Sequence, residues 1–226
     1  PMDVQAAEID ESSLEGYVPP QESLPADLPA QCREVIDRLV SSKRPVIMAG
    51  SGIRLSGAYD AFERFIRKTG IPVTTSWTSL DLIASDDPLF CGRPGTIGDR
   101  AGNFTVQNAD TLLVVGSRLN IRQVSYNWGS FARHAYKILV DVDPLELDKP
   151  TVRPDMPIVS DAGAFLNEMN RQLDLQGFDA GAHGEWLAWC RERVRRYPAV
   201  LPRHREQGRP LNPYHFTEQL FDKLDS

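Results

Sequence analysis

The residues best suited to hold a ligand lie at the ends of three short aliphatic runs. These runs read Pro-Val-Ile-Met-Ala-Gly-Ser-Gly at 45–52, Leu-Leu-Val-Val-Gly-Ser-Arg at 112–118 and Ile-Leu-Val-Asp-Val-Asp at 138–143. Continuous aliphatic runs are typical of strands buried on both faces, and therefore of a parallel sheet covered by helices. Ligands of such sheets bind outside the carboxyl ends of the strands. The pattern predicts a site for a nucleotide-like molecule.

The turn Gly50-Ser51-Gly52 follows the first run and precedes a predicted helix. Its backbone N–H groups could therefore approach a phosphate group. The motif is an incomplete G-x-G-x-x-G, because Leu55 stands where the third glycine would be. Since a tight turn requires glycine with or without a ligand, a purely structural role for this turn stays open.

Acidic residues suited to bind a ribose come late in the chain. In a dinucleotide-binding fold a carboxylate ends the second strand, but here 74–77 reads Thr-Thr-Ser-Trp, which argues against an ordinary NAD dehydrogenase. Asp141 and Asp143 could accept hydrogen bonds from ribose hydroxyls instead. Asp143 is equally well placed to cap a helix that begins at Pro144.

Arg118 and Arg122 flank Asn120 just after a predicted strand. Their planar guanidinium groups suit a phosphate or a carboxylate, and a plain surface pair is the alternative. The sequence contains no H-E-x-x-H, G-x-S-x-G or P-loop lysine motif, and its four histidines favour surface or capping roles. We therefore assign no catalytic residue and no metal ligand.

Composition narrows the class of protein. The net charge of −6 over 226 residues gives no reason to expect a nucleic-acid partner. No run of about 20 apolar residues predicts a membrane span, and the first residues do not resemble a signal peptide. Three widely spaced cysteines favour neither a disulfide framework nor a zinc site. We expect a cytoplasmic protein.

Helical and strand patterns alternate through the middle of the chain. The fold class predicted is α/β, with a doubly wound, mainly parallel, Rossmann-like sheet and helices on both faces. Strands are predicted at 46–49, 71–75, 111–115, 137–142 and 158–159. Helices are predicted at 31–39, 58–68, 104–109, 128–135 and 162–173, with Gly70 ending the second.

The two ends of the chain differ from the middle. Residues 1–29 contain five prolines and predict an extended surface segment. After 175, a helix beginning near Trp186 runs into an arginine cluster, which we interpret as a solvated helix and linker or as a basic arm for a phosphate or a partner. Asn212 predicts the cap of a last helix that looks truncated at Ser226.

Taken in order, these segments resemble the central domain of thiamine-diphosphate-dependent enzymes of the acetolactate synthase type, over roughly 30–175. The matching motifs are Pro-Val-Ile-Met-Ala-Gly-Ser-Gly, Gly92-Arg93-Pro94-Gly95-Thr96, Asn108-Ala109-Asp110 with the following Leu-Leu-Val-Val-Gly-Ser-Arg, and Val140-Asp141-Val142-Asp143 with Glu146 and Lys149. The resemblance implies a linker from a missing pyrimidine-binding domain at 1–29, whose residues 1–5 look like its closing strand. It implies a central domain at 30–175, and a helical linker with the start of a missing diphosphate-binding domain at 176–226.

The resemblance also implies where the chemistry belongs. The parent enzyme would decarboxylate a 2-keto acid such as pyruvate and transfer the acyl unit, using thiamine diphosphate and magnesium held by the missing domains. The fragment itself would be inactive, and the parent would be a homodimer or homotetramer. A stand-alone nucleotide-binding module and an empty structural spacer are the alternatives.

The central domain of acetolactate synthases binds FAD, whose role is largely structural, whereas some relatives bind ADP and others nothing. Two motifs depart from the family pattern: Arg93-Pro94 replaces a Met-His pair, and Asn120-Ile121-Arg122 replaces a paired-aspartate stretch. FAD, ADP and an empty crevice therefore stay open. The residues implied to bind the cofactor are Gly50, Ser51, Gly52, Ser76, Trp77, Gly95, Gly116, Ser117, Arg118, Asn120, Asp141, Val142, Asp161 and Ala162.

Overall fold

A computed structural model describes residues 2–18, 27–206 and 210–224. Its centre is a single sheet of five parallel strands, and helices flank the sheet, which confirms the predicted doubly wound α/β, Rossmann-like class. Each predicted strand is present, with ends shifted by a residue or two. The strands are β1 (Pro45–Ala49), β2 (Val73–Thr75), β3 (Thr111–Val115), β4 (Tyr136–Asp141) and β5 (Met156–Val159).

The described helices differ widely in length. In chain order they are α1 (Met2–Gln5), α2 (Leu28–Ser41), α3 (Gly52–Leu55), α4 (Tyr59–Thr69), α5 (Arg100–Asn108), α6 (Ile121–Val124), α7 (Pro144–Asp148), α8 (Ala162–Gln176), α9 (Gly184–Arg196) and α10 (Pro213–Phe221). Helices α2 and α4 pack against α8, and α5 packs against α9. None of the helices within the described ranges is long and apolar enough to cross a bilayer.

Successive residues of each strand face opposite sides of the sheet. Strands β1, β2 and β3 are buried on both sides, whereas the edge strand β5 is buried on one side only. Ile47 of β1 belongs to a core shared with Phe62 of α4 and Phe165 of α8. Its neighbour Met48 belongs to a second core on the other face, shared with Trp186 of α9. Burial on both faces explains why the strands read as continuous aliphatic runs.

The strand order β2-β1-β3-β4-β5 decides where a ligand can bind. The chain leaves β1 toward β2 and then returns to place β3 on the other side of β1. In doubly wound sheets a crevice opens where the order reverses in this way, outside the carboxyl ends of the strands. Here that point lies between Ala49 and Val115, which are paired across β1 and β3.

Local signals fix several helix ends as predicted. Gly70 has a φ of 61°, and its N–H donates to the carbonyl of Ile66, so it ends α4 in the left-handed conformation that glycine favours. The side chain of Asn212 accepts a hydrogen bond from the N–H of Tyr214 and caps α10, which confirms the predicted start of the last helix.

The helix predicted at 128–135 is wrong. Only Trp128–Ser130 forms a short 3-10 turn, and Ala132 has a φ of 43°, which an α-helix cannot accommodate. Phe131, Ala132 and Ala135 are nevertheless buried in the core that contains Met48. The spacing of these apolar residues therefore reflects side chains that pack against the sheet. The backbone reaches this packing through turns and not through a helix.

The strand expected at the start of the chain is also wrong. Met2–Gln5 forms one helical turn, and 5–18 is exposed throughout its length. A strand needs a neighbouring edge to satisfy its backbone groups, and none of the described strands lies beside this segment. The predicted extended surface segment spans 1–29, and its residues 19–26 lie outside the described residues.

The segment after 175 contributes directly to the core. The indole N–H of Trp186 donates to the carbonyl of Pro45 at 2.9 Å, and Cys190 is fully buried beside Cys91. Farther along α9, the Arg193 guanidinium lies 3.5 Å over the ring of Trp189. One face of α9 is therefore part of the central fold. Arg195 and Arg196 are exposed, whereas Arg191 is partly buried and donates hydrogen bonds to the carbonyls of Asp87 and Phe90.

We expect Phe165→Ala to lower the free energy of unfolding by about 3–5 kcal/mol, because it removes a fully buried ring shared by α8 and the sheet. Urea unfolding followed by circular dichroism measures the change. The control Leu175→Ala alters a side chain on the same helix that is 69% exposed, and should change stability by less than about 0.5 kcal/mol. Equal losses in both variants would contradict the assigned core.

Candidate functional site

A crevice with a volume of about 270 Å³ lies at the carboxyl ends of β1, β3 and β4. Most of the residues predicted to contact a ligand lie along it, although they are distant in sequence. The lining residues are Ser51, Gly52, Leu55, Ser56, Gly116, Arg118, Val140, Asp141, Val142, Ser160, Asp161 and Ala162.

The floor of the crevice is a close contact between two glycine turns. A Cβ atom added to Gly50 would overlap the carbonyl oxygen of Gly116, and one added to Gly52 would lie 2.7 Å from the Gly116 Cα. Gly116 itself has a φ of 62°. The N–H of Gly50 donates to the carbonyl of Val115, and that of Gly52 donates to the carbonyl of Gly116, both at 2.9 Å. These two N–H groups therefore join β1 to β3 and are not available to a ligand.

Other backbone amides that follow β1 and β3 have no partner. Within the described part of the chain, the N–H groups of Ser51 and of residues 117–120 have no hydrogen-bond acceptor. Leu119 has a φ of 45°, and its side chain is buried in the core, so the turn after β3 is held in place. Successive N–H groups in such a turn form a concave site for anions. No residue pattern around Leu119 predicts its left-handed backbone.

Two carboxylates stand on the opposite side of the crevice. Asp141 Oδ1 accepts the N–H of Asp143 at 3.0 Å, and Asp161 Oδ1 accepts the N–H of Ala164 at 2.9 Å as the cap of α8. The second carboxylate oxygen of each has no partner among the described residues, and is left for a hydroxyl group. Asp143 accepts the N–H of Leu145 at 2.9 Å, which confirms the capping alternative for that residue.

Arg118 is held at the mouth of the crevice by an ion pair. Its Nε donates to Glu146 Oε1 at 2.6 Å, and Lys149 Nζ lies 2.9 Å from Glu146 Oε2. Burial raises the pKa of Glu146, but the hydrogen bonds from Arg118 and Lys149 outweigh burial and hold that pKa below its usual value. The Arg118 side chain is 74% exposed and Arg122 is exposed as well, which agrees with the alternative that these two arginines are a plain surface pair. The Arg118 guanidinium nevertheless lies beside the crevice.

The remaining predicted site residues lie outside the crevice. Asn120 caps α6 by accepting the N–H of Arg122 at 3.0 Å. Ser76 is buried, and its hydroxyl lies 2.8 Å from that of Ser79. Gly95 packs against the carbonyl of Arg122, and Trp77 lines a different cavity. Ser117 lies directly behind Gly50, at 2.6 Å from the position of an added Cβ atom.

Sequence reasoning missed some of the lining residues. Leu55 stands where the G-x-G-x-x-G motif would have its third glycine, and its exposed side chain lies at the rim of the crevice. The missing glycine was the sequence signal that could have identified this lining residue. Ser56 and Ser160 also line the crevice, and nothing in the sequence distinguishes them from other serines. The described ranges contain no group of three or more His, Cys, Asp or Glu residues that could hold a metal ion.

We expect Gly50→Ala to destabilise the protein by at least about 1–3 kcal/mol, because the new methyl group would overlap backbone atoms at the junction of β1 and β3. Chemical unfolding measures the loss. Gly129→Ala is the matched control, since a Cβ atom there meets nothing within 4 Å and the change should be nearly neutral. A Gly50→Ala protein as stable as the control would show that the turns are not in close contact.

Comparison with known proteins identifies the family of the chain. Residues 32–169 match the family described as "Thiamine pyrophosphate enzyme, central domain". The probable acetolactate synthase large subunit of Methanococcus aeolicus is 35% identical over 182 residues, which cover 77% of this chain and 29% of the relative. The protein of the same description from Methanocaldococcus jannaschii is 32% identical over 233 aligned positions, which cover 100% of this chain and 38% of the relative.

A plant protein shows the same relationship. Acetolactate synthase 1, chloroplastic, of Zea mays is 33% identical over 217 residues, which cover 94% of this chain and 32% of the relative. The chain thus spans about a third of the length of these curated relatives. The family match covers more than half of the chain and coincides with the five-stranded sheet and its flanking helices. The chain belongs to the central-domain family of thiamine pyrophosphate enzymes.

Proposed function

We propose that this chain is the nucleotide-binding central domain of a thiamine-diphosphate-dependent enzyme of the acetolactate synthase type. The whole enzyme decarboxylates a 2-keto acid such as pyruvate and transfers the acyl unit to an acceptor, the carbanion chemistry being supplied by thiamine diphosphate with magnesium. Support comes from relatives that are described as acetolactate synthases and are about three times longer than this chain. The reaction is therefore assigned to the larger enzyme, acting as a homodimer or homotetramer in the cytoplasm.

Within the domain, the crevice binds the adenosine diphosphate group that ADP and FAD share. The observation that carries this proposal is the run of unpartnered amides at 117–120, located at the point where the strand order reverses. These amides receive the diphosphate, and the second oxygens of Asp141 and Asp161 accept hydrogen bonds from ribose hydroxyls. Arg118 adds a positive charge at the mouth.

The size of the crevice limits what part of a cofactor enters it. A volume of about 270 Å³ lies just below the ~300–1,000 Å³ of cavities that bury drug-sized ligands. The crevice therefore suits ADP or the ADP half of FAD, and a flavin ring would lie outside it. If FAD binds, it serves here as a structural group.

One observation favours a second function, that of an empty structural spacer. Arg118 is already paired with Glu146, and the N–H groups of Gly50 and Gly52 are already used between β1 and β3. The hydrogen bonds that join β1 to β3 at this point are therefore complete without a ligand. Binding measurements separate the two functions.

We expect the purified protein to bind ADP and FAD in isothermal titration calorimetry. Asp141→Asn should weaken both about tenfold, because a charge-assisted hydrogen bond to the ribose becomes a neutral one. Asp37→Asn is the matched control, since Asp37 is an exposed carboxylate on α2 that lines none of the three cavities described by the structure. It should leave both affinities unchanged.

The possible results separate the candidates. Binding of ADP and FAD with equal dependence on Asp141 supports a site for the shared group. Binding of FAD alone would contradict recognition by the adenosine diphosphate half. Failure of both ligands to bind at millimolar concentration would leave the empty spacer as the function.

We also expect the isolated chain to release no carbon dioxide from pyruvate, even when thiamine diphosphate and magnesium are added. The Gly-Asp-Gly sequence that the family uses for the diphosphate and metal does not occur in the 226 residues. Coupled assay of carbon dioxide, with a full-length acetolactate synthase as the positive control, measures the rate. Turnover above the rate without protein would overturn the assignment of catalysis to the larger enzyme.

A further inference from the structure

A larger cavity, of about 580 Å³, lies on a different part of the molecule. It opens between the loop that follows β2 and the segment that follows α9, and it shares no lining residue with the crevice. We call it the arginine cavity, after the three arginines that line it. Its defining residues are Trp77, Arg93, Arg100, Arg196, Tyr197 and Tyr214.

The three arginines are poorly neutralised by the protein. The Nε of Arg93 is buried and has no hydrogen-bond partner among the described residues, while its Nη2 donates to the hydroxyl of Ser85 at 3.1 Å. Arg100 forms no ion pair within the described ranges, and Arg196 has Glu192 only at 4.0 Å. Burial lowers the pKa of Arg93, and the charge of the nearby Asp99 carboxylate, which acts in the opposite direction, does not offset it.

Asp99 is the acidic residue that lines the cavity, and its carboxylate is already used. Its Oδ2 accepts the N–H of Arg93 at 2.7 Å, and its Oδ1 accepts the N–H of Gly102 at 2.5 Å as the cap of α5. Burial raises the pKa of Asp99. The carboxylate therefore satisfies backbone groups and leaves the guanidinium groups without a matching anion.

The walls of the cavity are flat and apolar. The guanidinium of Arg100 lies over the ring of Tyr197, 4.6 Å from its centre, and this cation–π contact holds both groups in place. Trp77 is 52% exposed and Tyr214 is 55% exposed. Large exposed apolar side chains gathered around one cavity mark a binding surface, and the volume is that of a site for a drug-sized molecule.

We propose that the arginine cavity is a second ligand site, which binds a small planar aromatic anion independently of the nucleotide crevice. The aromatic ring of the ligand lies against the tryptophan and tyrosine side chains. Its carboxylate or sulfonate group receives hydrogen bonds from Arg93 and Arg100, whose forked guanidinium groups match such anions. This site goes beyond the proposed nucleotide-binding function and does not require it.

Isothermal titration calorimetry with three probes tests the ligand class. Naphthalene-2-sulfonate has a ring and a charge, naphthalene-2-sulfonamide has the same ring without the charge, and methanesulfonate has the charge without the ring. We expect the sulfonate to bind, the sulfonamide to bind about tenfold more weakly, and methanesulfonate to show no binding. Equal affinity for the sulfonate and the sulfonamide would overturn the proposal.

Substitutions then locate the site. Arg100→Gln, at an exposed position, and Arg93→Gln should each weaken the sulfonate about tenfold, whereas Arg195→Gln on α9 should not, because that arginine does not line the cavity. If Arg93→Gln fails to fold, Arg100→Gln decides the question. An equal loss in Arg195→Gln would show non-specific attraction and overturn the site.

A saturating concentration of ADP separates this proposal from the nucleotide site. Unchanged affinity for the sulfonate supports an independent cavity, and displacement of the sulfonate by ADP would place it in the crevice and refute the second site. If ADP itself does not bind, the nucleotide proposal fails while the sulfonate titrations still decide the arginine cavity.

Discussion

The close contact between two glycine turns governs this structure. Gly50 and Gly52 lie against Gly116 so tightly that a single methyl group at either position would meet backbone atoms. Two N–H groups of the first turn are used to join β1 to β3. The contact brings the two strand ends together at the point where the sheet order reverses. The crevice exists because the strands on either side of this junction lead the chain away in opposite directions.

The glycines at this junction and the turn that follows β3 have different roles. The glycines allow the two turns to lie close together. The groups that we propose bind an anion belong instead to the turn after β3, where the buried side chain of Leu119 holds a left-handed backbone and a run of amides has no partner. Asp141 and Asp161 each use one oxygen within the protein, which orients the other. In the proposed nucleotide complex these amides are the donors and the two carboxylates are the acceptors, and contacts within the protein already orient the carboxylates.

The segment after 175 links the fold to the second cavity. Trp186 anchors α9 through its hydrogen bond to Pro45, and α9 continues as far as Arg196. The chain then passes over the loop that follows β2, so that Tyr197 and Arg100 stack. A helix that contributes to the core thus also places a cation and an aromatic ring beside a distant loop. The predicted domain boundary near 175 stays a prediction, although packing continues across it.

Sequence alone determined the parallel α/β class, the strand positions and the glycine turn, because burial on both faces leaves uninterrupted aliphatic runs and tight turns select glycine. It also identified Asp141 and Arg118 as neighbours of the crevice, since carboxyl ends of parallel strands share one edge, whereas Asp161 was implied by the family resemblance. The tertiary structure decided what sequence could not. Three features depend on contacts between distant segments, and no local pattern encodes such contacts. They are the left-handed backbone at Ala132 and Leu119, the hydrogen bond from the Gly52 amide to the turn after β3, and the arginine cavity.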